Sequence, residues 1–156
     1  MDQHRRALDK AFKALNARER TEQELSLFLR QRGFEPDVVD DVIASLREEG
    51  LIDDAGYAQR FADDRRLLDQ WGSERIARDL ARRGIGVEEI EGALSAVERG
   101  DELHAAVELL DRRYQQPFAG DSDRDKAWRL LVRRGYEPEL AYEAVRRHER
   151  GLDQAA

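Results

Sequence analysis

Apolar residues recur at helical spacing along the chain, and the pattern repeats after 51 residues. Leu25 and Leu29 are four residues apart, as are Ile76 and Leu80, which is the spacing of one face of an α-helix. Three glycines mark the same point of each copy, at Gly33, Gly84 and Gly135. Apolar residues follow each glycine in step, at Val39, Ile90 and Ala141 and then at Ile43, Leu94 and Val145. The pattern predicts three tandem copies of one structural unit.

Each copy is predicted to fold as three helices. Thr21 and Glu24 have the spacing of a capping box at a helix start. The repeated glycines suit the left-handed residue that ends a helix, and Pro36 and Pro138 suit the first helical position. We therefore expect an all-α fold of nine helices without a sheet. The units should span residues 1–50, 51–100 and 101–150, followed by a tail at 151–156, and should pack in an elongated, curved array.

Several helix ends can be predicted individually. Asp53 is the expected N-cap of the fourth helix, with Ile52 and Tyr57 in the positions of a hydrophobic staple. Asp101 is the expected cap of the seventh helix. Gly50 should end the third helix, and residues 116–122 should form a loop.

Composition limits the class of protein. The net charge of −7 argues against a protein whose main task is to wrap bare DNA. The chain has no cysteine, no apolar run of the roughly 20 residues that span a bilayer, and no apolar segment after its first residues that would predict a secretory signal. We expect a soluble, cytoplasmic protein without a cofactor.

No residue pattern predicts catalysis. The histidines, His4, His104 and His148, are scattered and lack partners at metal-ligand spacing. The pair Asp53 and Asp54 could form a carboxylate site, but two acids at a helix start are better explained by capping and the helix dipole. Neither a phosphate-binding loop nor a nucleophile motif is present.

Charge is distributed unevenly along the chain. Residues 35–64 hold ten acids and two arginines, whereas residues 123–150 hold eight basic residues and six acids. In the middle copy Arg75, Arg78 and Arg82 fall within a wedge of about 60° on one helix face. A shift of 51 residues gives a second stripe of Lys126, Arg129 and Arg133, whereas the first copy has no cation there.

The two stripes have two interpretations. They could be solvated faces that pair with nearby acids, or they could follow a phosphate backbone or an acidic protein groove. Their recurrence at one position of the repeat favours the second interpretation. The arginine fork, which fits phosphate and carboxylate oxygens, favours it as well.

The ordered motifs resemble those of the RecX family over roughly residues 7–150. The central part is Leu51-Ile52-Asp53-Asp54, Tyr57-Ala58, Arg60-Phe61, Arg65, Gly72, Arg75-Ile76, Leu80 and Gly84-Ile85. The segment from Arg18 to Leu25 with Gly33-Phe34 is similar to the family's first repeat, and Ala127 through Tyr136 to its last. The residues that we take as the signature are Asp53, Asp54, Tyr57, Arg65, Gly72, Ile76 and Gly84. The middle copy departs from the other two by lacking their Glu-Pro pair.

This resemblance implies a regulator of the RecA recombinase that is not an enzyme. Members of the family are three tandem three-helix repeats that lie in the groove of the RecA–single-strand DNA filament. They inhibit strand exchange, ATP hydrolysis and LexA co-cleavage. We expect single-stranded DNA to be contacted through the filament, no membrane contact, and a monomeric free protein. A helix-turn-helix repressor and a helical-repeat interaction scaffold remain the alternatives.

Overall fold

A computed structural model describes residues 2–155, and within this range it contains nine α-helices and no strand. The helices are α1 (Gln3–Ala17), α2 (Glu22–Gln31), α3 (Pro36–Glu48), α4 (Asp54–Asp69), α5 (Ser73–Arg82), α6 (Val87–Leu94), α7 (Arg99–Arg113), α8 (Asp121–Arg133) and α9 (Pro138–Ala155). The all-helical prediction is confirmed. Helix α9 continues to Ala155, over described residues that the sequence assigned to a tail, and residue 156 of that tail lies outside the described range.

The three repeated glycines end their helices in the same way. Gly33, Gly84 and Gly135 have φ angles of +87°, +85° and +97°, which a residue with a Cβ adopts only with strain. In each turn the amide that follows the glycine donates to the carbonyl five residues earlier, from Phe34 to Leu29, from Ile85 to Leu80 and from Tyr136 to Leu131. This bond closes a Schellman motif and satisfies a carbonyl at the helix end.

Most predicted helix starts are confirmed. The Thr21–Glu24 capping box is present, and Pro36 and Pro138 each open a helix. The Asp53 carboxylate accepts a hydrogen bond of 3.0 Å from the Gly56 amide, as expected of the α4 N-cap.

One predicted helix start was wrong, and one predicted loop is present at residues 116–120 but ends two residues earlier than expected. Helix α7 begins at Arg99 with Glu98 as its N-cap, and Asp101 is the third helical residue, accepting a hydrogen bond of 3.2 Å from the Glu98 amide. Asp101 therefore acts from the third helical position, where its carboxylate satisfies the amide of the N-cap residue. Helix α8 begins at Asp121, inside the predicted loop. There the Asp123 carboxylate accepts from the Ala119 amide.

The described residues form two compact units. The first comprises residues 2–60 and Leu80–Ala93. Its core lies among α1, α2 and α3 and is built from small residues of α1 and branched residues of the other two helices. The main buried side chains are Ala7, Ala11, Leu25, Leu29, Val39, Val42, Ile43 and Leu46.

The second unit comprises Phe61–Asp79 and the residues from Leu94 onward. Helices α7, α8 and α9 enclose its core. The largest fully buried side chains of this core are Leu110, Leu131, Tyr136, Leu140 and His148. Helices α4 and α5 each contribute residues to both units.

In the first unit, the start of α2 docks onto the turn at Gly84. The buried Thr21 hydroxyl donates a hydrogen bond of 2.6 Å to the Arg83 carbonyl. The Glu22 amide donates to the Asp54 carboxylate at 3.0 Å. Burial raises the pKa of Asp54, and the bond from the Glu22 amide opposes that shift. A Cβ on Gly84 would overlap the Gln23 side chain.

In the second unit, the start of α5 docks in the same way onto the turn at Gly135. The Gly72 amide donates a hydrogen bond of 2.8 Å to the Arg134 carbonyl. The Ser73 amide donates to the Glu102 carboxylate at 2.7 Å. A Cβ on Gly135 would lie 2.5 Å from the Arg75 nitrogen, which is well inside van der Waals contact.

Corresponding positions make these two contacts. The donors Thr21 and Gly72 differ by 51 residues, and so do Arg83 and Arg134, whose carbonyls accept the two bonds. In both units, the first amide of a copy's second helix donates to an acid on the first helix of the next copy. The Glu22 amide of α2 donates to Asp54 on α4, and the Ser73 amide of α5 donates to Glu102 on α7. The 51-residue period therefore extends to a tertiary contact, which we call the glycine-turn junction.

Replacing glycine by alanine at two turns should separate backbone strain from junction packing. At Gly33 nothing lies within 4 Å of the position that a methyl group would occupy. Gly33→Ala should therefore lower the free energy of unfolding only by the strain of the left-handed conformation, about 1–2 kcal/mol. Gly135→Ala meets the same strain and also the Arg75 backbone, and should cost about 2 kcal/mol more than Gly33→Ala. Urea unfolding followed by circular dichroism measures both. Equal losses would show that the junction is not tightly packed.

Tyr136 gives the second unit an alkaline sensitivity. Its ring is buried, its hydroxyl donates to the Gln70 carbonyl at 3.0 Å, and burial raises its pKa to about 12. The negative charge of Glu102 adds to this shift, whereas Arg66 and Arg134 oppose it. Since the unfolded tyrosine ionises near pH 10, the folded state holds the proton more tightly between about pH 10 and 12.

Stability should therefore fall as pH rises through this window, by up to about 2–3 kcal/mol. Tyr136→Phe should remove that part of the decline and lower the neutral-pH free energy of unfolding by about 1 kcal/mol, because the hydrogen bond is lost. Urea unfolding at pH 8 and pH 11 measures both effects. Tyr142→Phe is the matched control, since the Tyr142 ring is exposed. The same alkaline decline in wild type and Tyr136→Phe would contradict the prediction.

Candidate basic binding surface

The stripe on α5 is only partly exposed. Ile76 and Leu80 are fully buried, so the predicted core face of this helix is confirmed. Arg78 is exposed, but Arg75 is half-buried, with its guanidinium 4.0 Å from the centre of the Trp71 ring. Arg75 also donates a hydrogen bond of 3.2 Å to the Arg133 carbonyl. Arg75 is therefore held by the fold, and this stripe is exposed only at Arg78 and Arg82.

The stripe on α8 is exposed along its whole length. Lys126, Arg129 and Arg133 all lie at the surface. Arg129 forms an ion pair of 2.8 Å with Asp125, one turn earlier on the same helix. Between residues 2 and 155, neither Lys126 nor Arg133 has an ion-pair partner, and Arg78 likewise has none.

The hydrogen bond from Arg75 to Arg133 brings the two stripes together in the second unit. It joins the first turn of α5 to the last turn of α8, so the guanidinium of Arg75 lies beside the backbone of the helix that carries the second stripe. Arg82 is exposed and lies on the part of α5 that belongs to the first unit. We call Arg75, Arg78, Lys126, Arg129 and Arg133 the basic surface.

Ion pairs within the described chain therefore neutralise part of the positive charge of the basic surface, and the remaining cations are unpaired. Asp125 neutralises Arg129, as the interpretation of a solvated face predicts. Arg78, Lys126 and Arg133 are exposed cations whose charge no acid of the described chain offsets by direct contact. Such side chains can bind an external anion without first breaking an ion pair.

The first four signature residues serve the fold rather than a site. Asp53 caps α4 and Asp54 binds the start of α2. The Tyr57 hydroxyl accepts a hydrogen bond of 2.7 Å from Arg83, beside the glycine-turn junction. Arg65 pairs with Asp69 and lies 5.8 Å from the centres of two aromatic rings, those of Phe61 and Trp71.

The remaining signature residues, Gly72, Ile76 and Gly84, lie in the core or at the glycine-turn junctions. Gly72 is buried, and a Cβ there would lie 2.6 Å from the Gly135 carbonyl oxygen. Ile76 fills the core, and Gly84 forms the left-handed turn. The motif that carries the family resemblance is therefore explained by folding chemistry.

Sequence reasoning missed a groove between α8 and α9 in the second unit. Trp128, Tyr142 and Arg146 line two adjoining cavities of about 920 and 780 Å³. The sequence contains a pattern that indicates this surface, because Tyr142, Arg146 and Arg150 follow one another at four-residue intervals and so lie on one face of α9. We call this feature the aromatic groove.

The histidines do not converge on a site. His148 is buried, with its Nδ1 2.7 Å from the Asp111 carboxylate, and His104 lies 3.4 Å from Glu108 on the same helix. Across residues 2–155 there is no cluster of three or more potential metal ligands. No helix in that range has the length and apolar character needed to cross a membrane.

Two family models match the chain. The first three-helix domain of RecX matches residues 7–46, and the second matches residues 53–94. The regulatory protein RecX of Mycolicibacterium vanbaalenii is 35% identical over 139 residues, which cover 84% of this chain and 76% of that protein. The RecX protein of Deinococcus radiodurans is 34% identical over 145 residues, covering 93% of this chain and 69% of that protein.

Solved structures show the same fold. RecX from Lactobacillus salivarius superimposes with a TM-score of 0.81 at 21% identity, over 98% of both chains. A second crystal structure of regulatory protein RecX gives a TM-score of 0.79 at 27% identity, over 93% of this chain and 72% of the other. The helical fold, the two domain matches and the sequence identity agree: this chain belongs to the RecX family of regulatory proteins.

Proposed function

We propose that this chain binds the RecA–single-strand DNA filament and inhibits RecA strand exchange, ATP hydrolysis and LexA co-cleavage. The family supports the choice of partner. The observation that carries the proposal is the basic surface, in which Arg78, Lys126 and Arg133 remain exposed and without an ion pair in the described chain. Through this regulation the protein would act in homologous recombination and the SOS response.

Inhibition would result from occupation of the filament groove. The basic surface would lie against phosphates or acidic side chains that line the groove, where cations gain most from opposite charge. A helical protein bound there would exclude the second duplex and LexA. Binding would also hinder the movements between RecA protomers on which ATP hydrolysis depends.

The acidic part of the first unit would have a separate role. The exposed acids of α3 and its C-cap are Asp37, Asp40, Asp41, Glu48 and Glu49. They would either face a basic surface of RecA or keep the protein in solution. This placement assigns DNA contact to the later part of the chain. We further propose that the protein is cytoplasmic, monomeric when free and without catalytic activity.

Reversing the unpaired cations should weaken filament binding. The variant Arg78→Glu/Lys126→Glu/Arg133→Glu leaves Arg75 in place, because Arg75 holds α5 against α8. We expect at least a tenfold loss of affinity for RecA filaments and a matching loss of ATPase inhibition. If all three cations contact phosphates, the slope of log affinity against log salt should fall by about two to three. Fluorescence anisotropy of labelled filaments measures both, and circular dichroism should show unchanged helicity.

The matched control reverses three exposed cations of α1, in Arg5→Glu/Arg6→Glu/Lys10→Glu. It changes the net charge equally, so it should bind nearly as tightly as wild type if position matters more than total charge. Wild-type inhibition by the Arg78/Lys126/Arg133 variant would refute the assignment of the basic surface. A strong preference of the wild-type protein for one duplex over random competitor would instead support a repressor.

A further inference from the structure

The aromatic groove is a second surface, on a different side of α8 from the basic surface. Trp128 is two residues beyond Lys126, so the two side chains point about 200° apart around the helix. The Trp128 indole nitrogen donates a hydrogen bond of 3.0 Å to the Pro138 carbonyl, which holds the ring in place between α8 and α9. A rigid ring in an open groove is ready to bind without losing side-chain freedom.

Apolar surface is available in this groove. Tyr142 is 61% exposed, although a ring of its size usually lies in a core or an interface. Val145 lines one of the two cavities with Trp128 and Tyr142, and Pro138 lines the other. Exposed aromatic residues beside arginines are the composition of interface hot spots.

The charges in the groove favour an anionic partner with few charges. Four of the five lining carboxylates already pair with arginines of the second unit: Asp121 and Glu149 with Arg124, Asp125 with Arg129, and Glu143 with Arg99 and Arg147. Arg146 lies over the Tyr142 ring at 5.8 Å, and neither it nor Arg150 has an ion-pair partner in the described chain. These two cations are one helical turn apart on α9.

We propose that the aromatic groove binds an acidic, apolar segment of a partner protein, with apolar side chains on Trp128 and Tyr142 and a carboxylate on Arg146 or Arg150. A nucleic acid fits less well, because a row of phosphates needs several unpaired cations, whereas Arg146 and Arg150 are the only groove arginines without an ion pair in the described chain, and Glu139 beside them is an unpaired acid. A peptide can place one or two acids at the arginines and apolar groups elsewhere. This inference rests on the proposed function and takes RecA protein, rather than its DNA, as the partner at this site.

The test compares RecA protein without DNA, single-stranded oligothymidine alone, and the assembled filament. The double variant Tyr142→Ser/Arg146→Glu removes the exposed ring and reverses one cation, and both residues are exposed, so the fold should persist. The matched control is Leu68→Ser/Arg113→Glu, which alters an exposed apolar residue and an exposed arginine of the second unit outside the groove. Circular dichroism verifies that both variants are folded.

We expect the groove variant to bind RecA protein at least tenfold more weakly than wild type and the control to bind within about twofold of wild type. Hydroxyl-radical footprinting gives a direct readout, because the exposed Tyr142 ring should be oxidised in the free protein and protected by RecA protein but not by oligothymidine. Protection by oligothymidine alone would overturn the proposal in favour of a nucleic-acid site. Wild-type binding by the groove variant would overturn it while the proposed function stands, whereas no binding of wild-type protein to RecA in any form would overturn both.

Discussion

Close approach of one backbone to another, at the glycine-turn junction, is the constraint on which the second unit depends. The Gly72 amide reaches the Arg134 carbonyl, and neither Gly72 nor Gly135 has room for a Cβ. The same approach sets Arg75 against the end of α8, where it binds the Arg133 carbonyl. A contact that requires two glycines thus places Arg75 against the helix that carries Lys126 and Arg133. The glycine-turn junction therefore stabilises the second unit and also positions Arg75 of the basic surface.

Local rules predicted the helices and most of their ends because each depends on a few neighbouring residues. The turn at Gly33, the Thr21–Glu24 box and the Asp53 cap are of this kind. The start of the seventh helix was predicted wrongly because an acid can bind the first free amides either from the N-cap or from the third helical position, and Asp101 takes the third position. The number of tandem repeats and the repeat boundaries at residues 50 and 100 remain predictions.

Tertiary contacts were harder to predict. The bond between Thr21 and the Arg83 carbonyl joins residues 62 apart, and hydrophobic periodicity carries no information about such a pair. The cation stripes followed from charge at helical spacing, but the partial burial of Arg75 did not, because the Trp71 ring that covers it comes from the preceding loop. The aromatic groove was visible in the spacing of Tyr142 and Arg146, yet exposed aromatic residues are recognised only once the core has been identified.

An acidic protein can still present a basic surface, because exposed charges separated by more than about 8 Å are largely screened at physiological ionic strength. What counts near a phosphate is the set of cations within that distance that no neighbouring acid neutralises. On α8 this set comprises Lys126 and Arg133, since Asp125 engages Arg129. Two cations and their neighbours on α5 would give modest affinity alone. An apolar contact on another side of the same helix would add to it, because the second contact forms within an existing complex at high effective concentration. The basic surface would then supply salt-dependent attraction, and the aromatic groove would supply selectivity for the protein partner.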